Sequence, residues 1–134
     1  MKQLLTGLVY LHDNKNLAHR DIKGANILLS RTGQVQIADF GLARMINPNN
    51  KNNQYTTRVV TLWYRAPELL LGFRNYNFGV DIWSIACVFV ELVTGQVLFR
   101  ANQEAQACEL MFSICGSPNE ENMPGCTKHK INYT

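Results

Sequence analysis

The sequence predicts a mainly α-helical fold that contains one small β-hairpin. Helical patterns occupy four segments, at residues 1–11, 67–71, 80–94 and 104–115. Two short aliphatic runs flank a turn that contains Gly33, which is the pattern of a hairpin. A chain of 134 residues with 46% apolar residues has the size of one domain and can bury a core of its own.

The first half of the chain contains the first helix, the hairpin and a polar loop. Leu4, Leu8 and Leu11 recur at helical spacing, and asparagines at residues 14–16 are expected to end this helix. The hairpin strands are predicted at residues 27–29 and 35–38. Residues 47–54 include five asparagines, one proline and no apolar residue, so a solvated loop is expected there.

The second half contains the remaining three helices. In the 80–94 segment, Asp81 lies in the first turn and Gly95 follows the last helical residue, as capping and the helix dipole favour. The 104–115 helix is expected to stop before Gly116-Ser117-Pro118, and the polar tail after it is expected to be irregular.

Composition argues against several classes of protein. The formal net charge is only +3 and the basic residues are scattered, so no direct nucleic-acid partner is predicted. None of the four cysteines forms a C-x-x-C pair, which favours reduced structural thiols in an intracellular protein. The longest apolar stretch, residues 82–93, is interrupted by Ser84 and Glu91 and is too short for a membrane span. Neither a signal peptide nor a membrane partner is expected.

The residues best suited to chemistry lie between His19 and Asn26 and at Asp39. Phosphoryl transfer needs an oriented acceptor hydroxyl, metal ions and cations on the developing charge. Asp21 can accept or orient the hydroxyl proton, and Lys23 can reach the phosphoryl group from the same loop. Asn26 and Asp39 carry the hard oxygen ligands that Mg²⁺ prefers.

Each short motif also has a plain structural interpretation. A lone His-Arg-Asp is typical of a surface turn, and a lone Asp-Phe-Gly is typical of a turn after a strand. The ordered set makes chance improbable, because Asp39-Phe40-Gly41 follows Asp21 by eighteen residues and Ala66-Pro67-Glu68 follows in turn.

With these motifs the chain resembles the C-terminal lobe of a eukaryotic protein kinase, and within that superfamily a cyclin-dependent kinase. The supporting blocks are YTTRVVTLWYRAPELLLG at residues 55–72, Asp81-Ile82-Trp83-Ser84, and Cys115-Gly116-Ser117-Pro118. They are most similar to the transcriptional branch, which acts on the C-terminal repeats of RNA polymerase II. The resemblance implies a mainly α C-terminal lobe with one small β-hairpin and the N-terminal lobe absent, so that residues 1–134 form a partial protein kinase domain.

The same resemblance implies the reaction and its residues. A serine/threonine kinase transfers the ATP γ-phosphate to a protein hydroxyl with Mg²⁺ as the cofactor. Asp21, Lys23 and Thr61 match catalytic positions, with Thr61 tethering the other two. Lys23, Asn26 and Asp39 match the ATP site, and the last two match the Mg²⁺ ligands.

Further positions match family residues that serve in regulation and in substrate choice. Thr56 matches the activation-loop threonine that is phosphorylated, with Arg20 and Arg44 as the arginines that bind its phosphate. Adjacent Thr57 is an alternative, and two unmodified loop hydroxyls are another. Val59, Val60 and Arg65 match the pocket for the residue after the acceptor, which implies Ser/Thr-Pro substrates because proline has no N–H to leave unpaired.

Departures from the family pattern are few. Ala86 stands where the family helix usually carries glycine, which alanine replaces favourably in a helix. Ala66 stands where several transcriptional members carry proline, which weakens the subfamily assignment and leaves the catalytic one intact.

The sequence contains neither a glycine-rich phosphate loop nor the β3-type lysine, and in the family the cyclin-binding helix lies in the same upstream region. In this family Glu68 pairs with an arginine that would lie beyond residue 134, and a buried carboxylate without its partner is costly. We therefore expect this chain to be a fragment that is marginally stable and inactive alone. The alternative is a non-catalytic, kinase-derived interaction or scaffold protein. A nuclear location is implied by the resemblance only.

Overall fold

The computed structural model of the protein describes residues 1–47, 54–56 and 61–126, and this part is rich in helix. The helices are Lys2–Val9 (α1), Pro67–Leu70 (α2), Gly79–Thr94 (α3) and Glu104–Cys115 (α4). The strands are Leu17–Ala18 (β1), Ile27–Leu29 (β2), Val35–Ile37 (β3) and Arg44–Met45 (β4). Single 3₁₀ turns occur at Gly24–Asn26 and Leu62–Tyr64.

Each of the four predicted helical segments contains a helix, and α4 has the predicted bounds. The first segment differs at its end, because α1 stops at Val9 and the chain continues as one π-helical turn, Tyr10–Asn14. That turn buries both Leu11 and His12. A π turn inside a helical run is rare and is often associated with a functional site, and here it places a polar ring in the core.

The long helix α3 is the centre of the core. Its buried residues Val80, Ile85 and Val88 belong to one apolar cluster with side chains of α1, α4 and the Leu62–Tyr64 turn. Its end matches the prediction, since Gly95 adopts the left-handed conformation with φ 73° and its N–H bonds to the Glu91 carbonyl at 2.8 Å.

The predicted hairpin is confirmed. Strands β2 and β3 pair antiparallel, with Leu28 opposite Gln36. Gln3 of α1 joins the hairpin to the helix, because its side chain donates to the Gly33 carbonyl at 3.0 Å and accepts the Val35 N–H at 2.9 Å. The helix and strand lie so close that a Cβ on Gly7 would be 3.3 Å from the Ile37 side chain.

A second strand pair was not predicted. Strands β1 and β4 pair antiparallel, with Leu17 opposite Met45 and Ala18 opposite Arg44. Two-residue strands carry too little sequence pattern to be recognised. The pair matters for the site, because it brings the segment after Asp39-Phe40-Gly41 back beside the segment that leads into His19.

All four cysteines are free thiols, as their spacing predicts, and Cys87 and Cys108 are buried. Within the described residues, no helix combines the length and hydropathy that crossing a membrane requires.

Candidate active site

Residues 19–26 form a loop (the 19–26 loop) that is anchored by Asp81 of α3. The carboxylate of Asp81 accepts the His19 N–H and the Arg20 N–H, each at 2.8 Å, on different oxygens. It also accepts the Nε2–H of His12 at 2.8 Å, and the His12 ring stacks on Phe78 with 4.6 Å between ring centres. The side chain of Asp81 has no exposed surface, so these three bonds replace its hydration.

This anchoring role of Asp81 and His12 was missed from the sequence. Asp81 was assigned only to the first turn of its own helix, where it does lie. The available signal was a carboxylate at the start of an otherwise apolar helix, since a buried acid needs several donors. Its donors are more than sixty residues away in the chain, and no local pattern reveals them.

Two residues of the site adopt left-handed backbone conformations. Arg20 and Asp39 both have φ 64°, a region that residues other than glycine seldom occupy. The Asp81 carboxylate holds the Arg20 N–H, and the Asp39 side chain accepts the Gly41 N–H at 3.2 Å. Such backbone conformations persist only where the surroundings hold them, and they concentrate at functional sites.

The imidazole of His19 joins the 19–26 loop to the Asp39-Phe40-Gly41 turn. Its Nε2–H donates to the Ala38 carbonyl at 3.0 Å, and its Nδ1 accepts the Asp21 N–H at 3.2 Å. These two bonds require the neutral tautomer with hydrogen on Nε2. The edge of the ring meets Phe40 at 4.9 Å between centres, so both motifs pack against one buried histidine.

The carboxylate of Asp21 is buried and held on one side. Its Oδ2 accepts Lys23 Nζ at 2.8 Å and Asn26 Nδ2 at 3.0 Å. Asn26 Nδ2 also donates to the Asp21 carbonyl at 2.8 Å, so the orientation of the amide is fixed. Within the described part of the chain, Oδ1 of Asp21 and Oδ1 of Asn26 make no hydrogen bond, and both oxygens can meet a ligand.

The hairpin brings the two predicted metal ligands together. Beyond the Ile27–Ile37 pair, the Ala38 N–H donates to the Asn26 carbonyl at 2.8 Å and extends the ladder by one step. Ala38 is therefore the ladder partner of Asn26, and Asp39 follows Ala38 at the open end of the hairpin. An amide oxygen and an exposed carboxylate there are the kind of hard donors that could hold Mg²⁺, which takes few protein ligands when phosphates and water complete its shell.

The predicted regulatory residues also lie together. The guanidinium of Arg20 donates through Nε to the Leu42 carbonyl at 2.8 Å and through Nη1 to Thr56 Oγ1 at 3.2 Å. Arg44 is placed differently, because its guanidinium lies 5.4 Å from the ring centre of Tyr55, the residue before Thr56. Arg20 thus contacts Thr56 directly, whereas Arg44 packs against the neighbouring residue, Tyr55.

The remaining predicted residues are less informative. Thr61 is exposed and precedes the 3₁₀ turn, and within the described residues its side chain makes no hydrogen bond to Asp21 or Lys23. The tether assigned to it stays a prediction. Val59 and Val60, like the alternative Thr57, lie outside the described residues. Arg65 forms an ion pair with Glu104 at 2.6 Å.

Two carboxylates beside the Ala66-Pro67-Glu68 block have distinct surroundings. Burial raises the pKa of Glu68 above its ordinary value of 4.5, and no cation of the described residues lies within ion-pair distance of it. Glu91 of α3 accepts the Tyr64 hydroxyl at 2.7 Å, and burial together with this carboxylate raises the pKa of Tyr64. The Tyr64–Glu91 contact does not touch the Asp21 cluster, so it is a structural support for the segment.

Residues 1–130 match the family model described as the protein kinase domain, and the chain belongs to that family. Among curated proteins it is 51% identical over 128 residues to cyclin-dependent kinase C-1 of Oryza sativa subsp. japonica, covering 96% of this chain and 24% of the relative. It is 48% identical over 134 residues to cyclin-dependent kinase 12 of Drosophila melanogaster, covering 100% of this chain and 12% of the relative. The predicted resemblance to cyclin-dependent kinases is confirmed.

Solved structures agree with these relatives. The yeast RNA Pol II CTD kinase CTDK-1 complex contains a chain with a TM-score of 0.88 and 45% identity, covering 97% of this chain and 41% of that one. The CAK complex from Chaetomium thermophilum bound to ATP-gamma-S contains a chain with a TM-score of 0.87 and 41% identity. The match covers 94% of this chain and 38% of that one. The chain therefore spans less than half the length of each of these proteins.

Proposed function

We propose that residues 1–134 are the C-terminal-lobe part of a proline-directed serine/threonine kinase of the cyclin-dependent type, which transfers the ATP γ-phosphate to protein hydroxyls. The observation that supports this most strongly is the Asp21 carboxylate. One of its oxygens is held by Lys23 and Asn26, and the other makes no hydrogen bond within the described residues. Family membership supports the reaction class.

In this proposal Asp21 Oδ1 accepts the hydrogen bond of the substrate hydroxyl and orients it toward the phosphate. The two donors on Oδ2 prevent the carboxylate from rotating, which keeps Oδ1 in a fixed direction. A base that positions and takes a proton contributes about 10²- to 10⁴-fold to a rate. The ammonium of Lys23, already 2.8 Å from Asp21, is close enough to reach a phosphoryl group transferred to that hydroxyl.

Asn26 and Asp39 are the residues that would hold Mg²⁺, which neutralises phosphate charge when it is bound. The amide of Asn26 suits this role because its nitrogen is committed to two Asp21 oxygens, which directs the oxygen away from the carboxylate. Asp39 suits it because its backbone is held in one conformation, with its own side chain bonded to Gly41. ATP as the phosphate donor is supported by the ATP-gamma-S complex of a similar kinase.

The similar proteins support the substrate class and the partner that we propose for this chain. Val59, Val60 and Arg65 would form the pocket that favours proline after the acceptor, and Thr61 would tether Asp21 and Lys23 once substrate is bound. A similar structure is an RNA Pol II CTD kinase, which supports polymerase repeats as the substrate and a nuclear location. Relatives named cyclin-dependent kinases support a cyclin partner, bound through an N-terminal lobe in the complete protein.

The test uses the complete protein together with its cyclin. A peptide array compares Ser-Pro with Ser-Ala acceptors, and calorimetry measures Mg·ATP binding. We expect Ser-Pro to be preferred and Asp21→Asn to lower the rate by about 10²-fold or more with Mg·ATP binding retained. Asp13→Asn, at an exposed position of the π turn, is the matched control and should keep the rate.

Equal rates on Ser-Pro and Ser-Ala peptides would remove the proline-directed assignment. If the complete protein does not bind Mg·ATP, the catalytic proposal fails and a non-catalytic, kinase-derived interaction protein becomes the better interpretation. A 134-residue chain that is inactive where the complete protein is active would agree with the expectation for a fragment.

A further inference from the structure

Tyr76 lies in the connection between α2 and α3, is 5% exposed, and joins Arg20 to Thr56. Its hydroxyl accepts Arg20 Nη1 at 2.7 Å and donates to the Thr56 carbonyl at 2.8 Å. The same Nη1 donates to Thr56 Oγ1 at 3.2 Å. The three residues therefore form a closed set of hydrogen bonds around the threonine, in which the phenol contacts both of the others.

A second tyrosine, Tyr55, directly precedes the threonine and packs against Tyr76. The Tyr55 ring lies 5.3 Å from that of Tyr76, centre to centre, and the Arg44 guanidinium lies 5.4 Å from the centre of the Tyr55 ring. Tyr55 is itself fixed, because its N–H donates to the Arg74 carbonyl at 2.8 Å and its hydroxyl accepts the Asn47 N–H at 3.3 Å. Both basic side chains near Thr56 are thus supported by buried tyrosines.

From this geometry we infer that Tyr76 is a positioning residue for a phosphothreonine at residue 56. It holds the Arg20 guanidinium and the Thr56 main chain in one arrangement before the phosphate is attached. The inference rests on the proposed function, in which Thr56 is the phosphorylated residue. Without Tyr76 the same arginine would still be present, but its guanidinium would be held only by the Nε bond to the Leu42 carbonyl and the longer Nη1 bond to Thr56 Oγ1, the atom that the phosphate would modify.

The physical reason is pre-organisation. Arginine loses much side-chain freedom when it is held in one conformation, and a group that is already held binds an anion more tightly. Phosphorylation attaches a group with three acceptor oxygens to Thr56 Oγ1, and this atom already lies within hydrogen-bond distance of Nη1. Little rearrangement is therefore needed for a charge-assisted contact.

The phenol keeps its proton under physiological conditions, which the arrangement requires. Burial raises the pKa of Tyr76 above its ordinary value of 10.0, although Arg20 acts in the opposite direction. Its O–H therefore remains a donor to the Thr56 carbonyl, and its oxygen remains an acceptor for the guanidinium.

The experiment places phosphothreonine at residue 56 of the full chain during synthesis and follows its ³¹P resonance as pH is varied. The second pKa of an exposed phosphothreonine is about 6, and a fixed guanidinium lowers it. The variants are Tyr76→Phe, which removes only the hydroxyl, and Tyr10→Phe, which removes the hydroxyl of an exposed tyrosine. We expect a lowered phosphate pKa in the unsubstituted chain and in Tyr10→Phe, and a value at least about half a unit higher in Tyr76→Phe.

Each outcome has a defined meaning. A phosphate pKa of about 6 in the unsubstituted chain shows that Arg20 does not bind the phosphate, and the proposed role of Thr56 then fails. A pKa lowered equally in all three chains leaves that role intact and overturns the inference about Tyr76.

A second measurement covers a Tyr76→Phe chain that does not fold. With 3-fluorotyrosine at residue 76 the hydroxyl is kept, and we expect its ¹⁹F resonance to shift when phosphothreonine replaces Thr56. The same label at Tyr10 should give no shift. An unchanged resonance at residue 76 overturns the inference.

Discussion

Replacement of Asp81 by asparagine should destabilise the chain more than any other substitution near the site that exchanges a single heavy atom. The carboxylate of Asp81 accepts two hydrogen bonds on Oδ2, from His12 and His19, and one on Oδ1, from Arg20. An amide has a single acceptor oxygen, so Asp81→Asn loses at least one of the three bonds and turns an N–H toward another N–H.

The size of the effect follows from that count. A hydrogen bond to a charged group contributes about 1.5–3 kcal/mol, and a buried donor left without a partner adds a penalty. If the amide oxygen replaces Oδ2, only the Arg20 bond is lost. If it replaces Oδ1, both of the other bonds are lost. We therefore expect Asp81→Asn to lower the free energy of unfolding by about 2–5 kcal/mol.

The assay is urea unfolding followed by tryptophan fluorescence, with hydrogen exchange of the His19 and Arg20 amides as a local readout. Asp13→Asn makes the same chemical change at an exposed residue and should leave both readouts unchanged. An Asp81→Asn chain that unfolds at the same urea concentration as Asp13→Asn, with both amides still protected, would refute the reasoning.

Three further experiments test other parts of the structure. Because burial raises the pKa of Glu68 in the folded chain, the folded state binds more protons than the unfolded state, and stability should fall as pH rises from about 4 through the folded-state pKa. Glu68→Gln should remove this fall and raise the urea midpoint at pH 7.5, with little change at pH 4. Burial raises the pKa of the Cys87 thiol to about 12, so iodoacetamide at pH 8 should modify exposed Cys115 first and Cys87 only after unfolding, as mass spectrometry of digests will show. A Cβ at Gly41 would lie 3.2 Å from Asp39 Oδ1, so Gly41→Ala should weaken Mg·ATP binding by the complete protein about tenfold in calorimetry, with an unchanged circular dichroism spectrum.

Each of these expectations has a contrary result. A urea midpoint for Glu68→Gln below that of the unsubstituted chain at pH 7.5 would mean that the carboxylate is paired in solution. Equal labelling rates for Cys87 and Cys115 in the folded chain would contradict the burial of Cys87. Unchanged Mg·ATP affinity in Gly41→Ala would separate the Asp39 side chain from metal binding.

Features set by neighbouring residues were predictable from the sequence. The hairpin follows from two short aliphatic runs about Gly33, and α4 from an apolar pattern bounded by a Gly-Ser-Pro stop. The end of α3 at Gly95 follows from the ability of glycine to adopt positive φ. Asp21, Lys23 and Asn26 lie in one loop, and hydrogen bonds within that loop join them as the short spacing implies.

Features that depend on distant pairing were not predictable. The β1–β4 pair has only two residues in each strand, and its pattern is indistinguishable from loop. Nothing local distinguishes the phenol of Tyr76 from any loop tyrosine, although it contacts both Arg20 and Thr56. The placement of Arg44 over Tyr55 depends on how two separate segments pack, and its binding of a Thr56 phosphate stays a prediction.

The distance along the chain between Asp81 and its donors has a consequence for how the protein is made. His12, His19 and Arg20 precede Asp81 by 69, 62 and 61 residues. During synthesis the 19–26 loop leaves the ribosome long before α3 exists, and its two backbone donors must remain in water until that helix arrives. Contacts between distant residues form only after the cost of closing the intervening loop is met. The loop that contains Asp21 is therefore assembled late, in the same step that docks α3, and a nascent chain that ends before residue 81 cannot hold it in its final form.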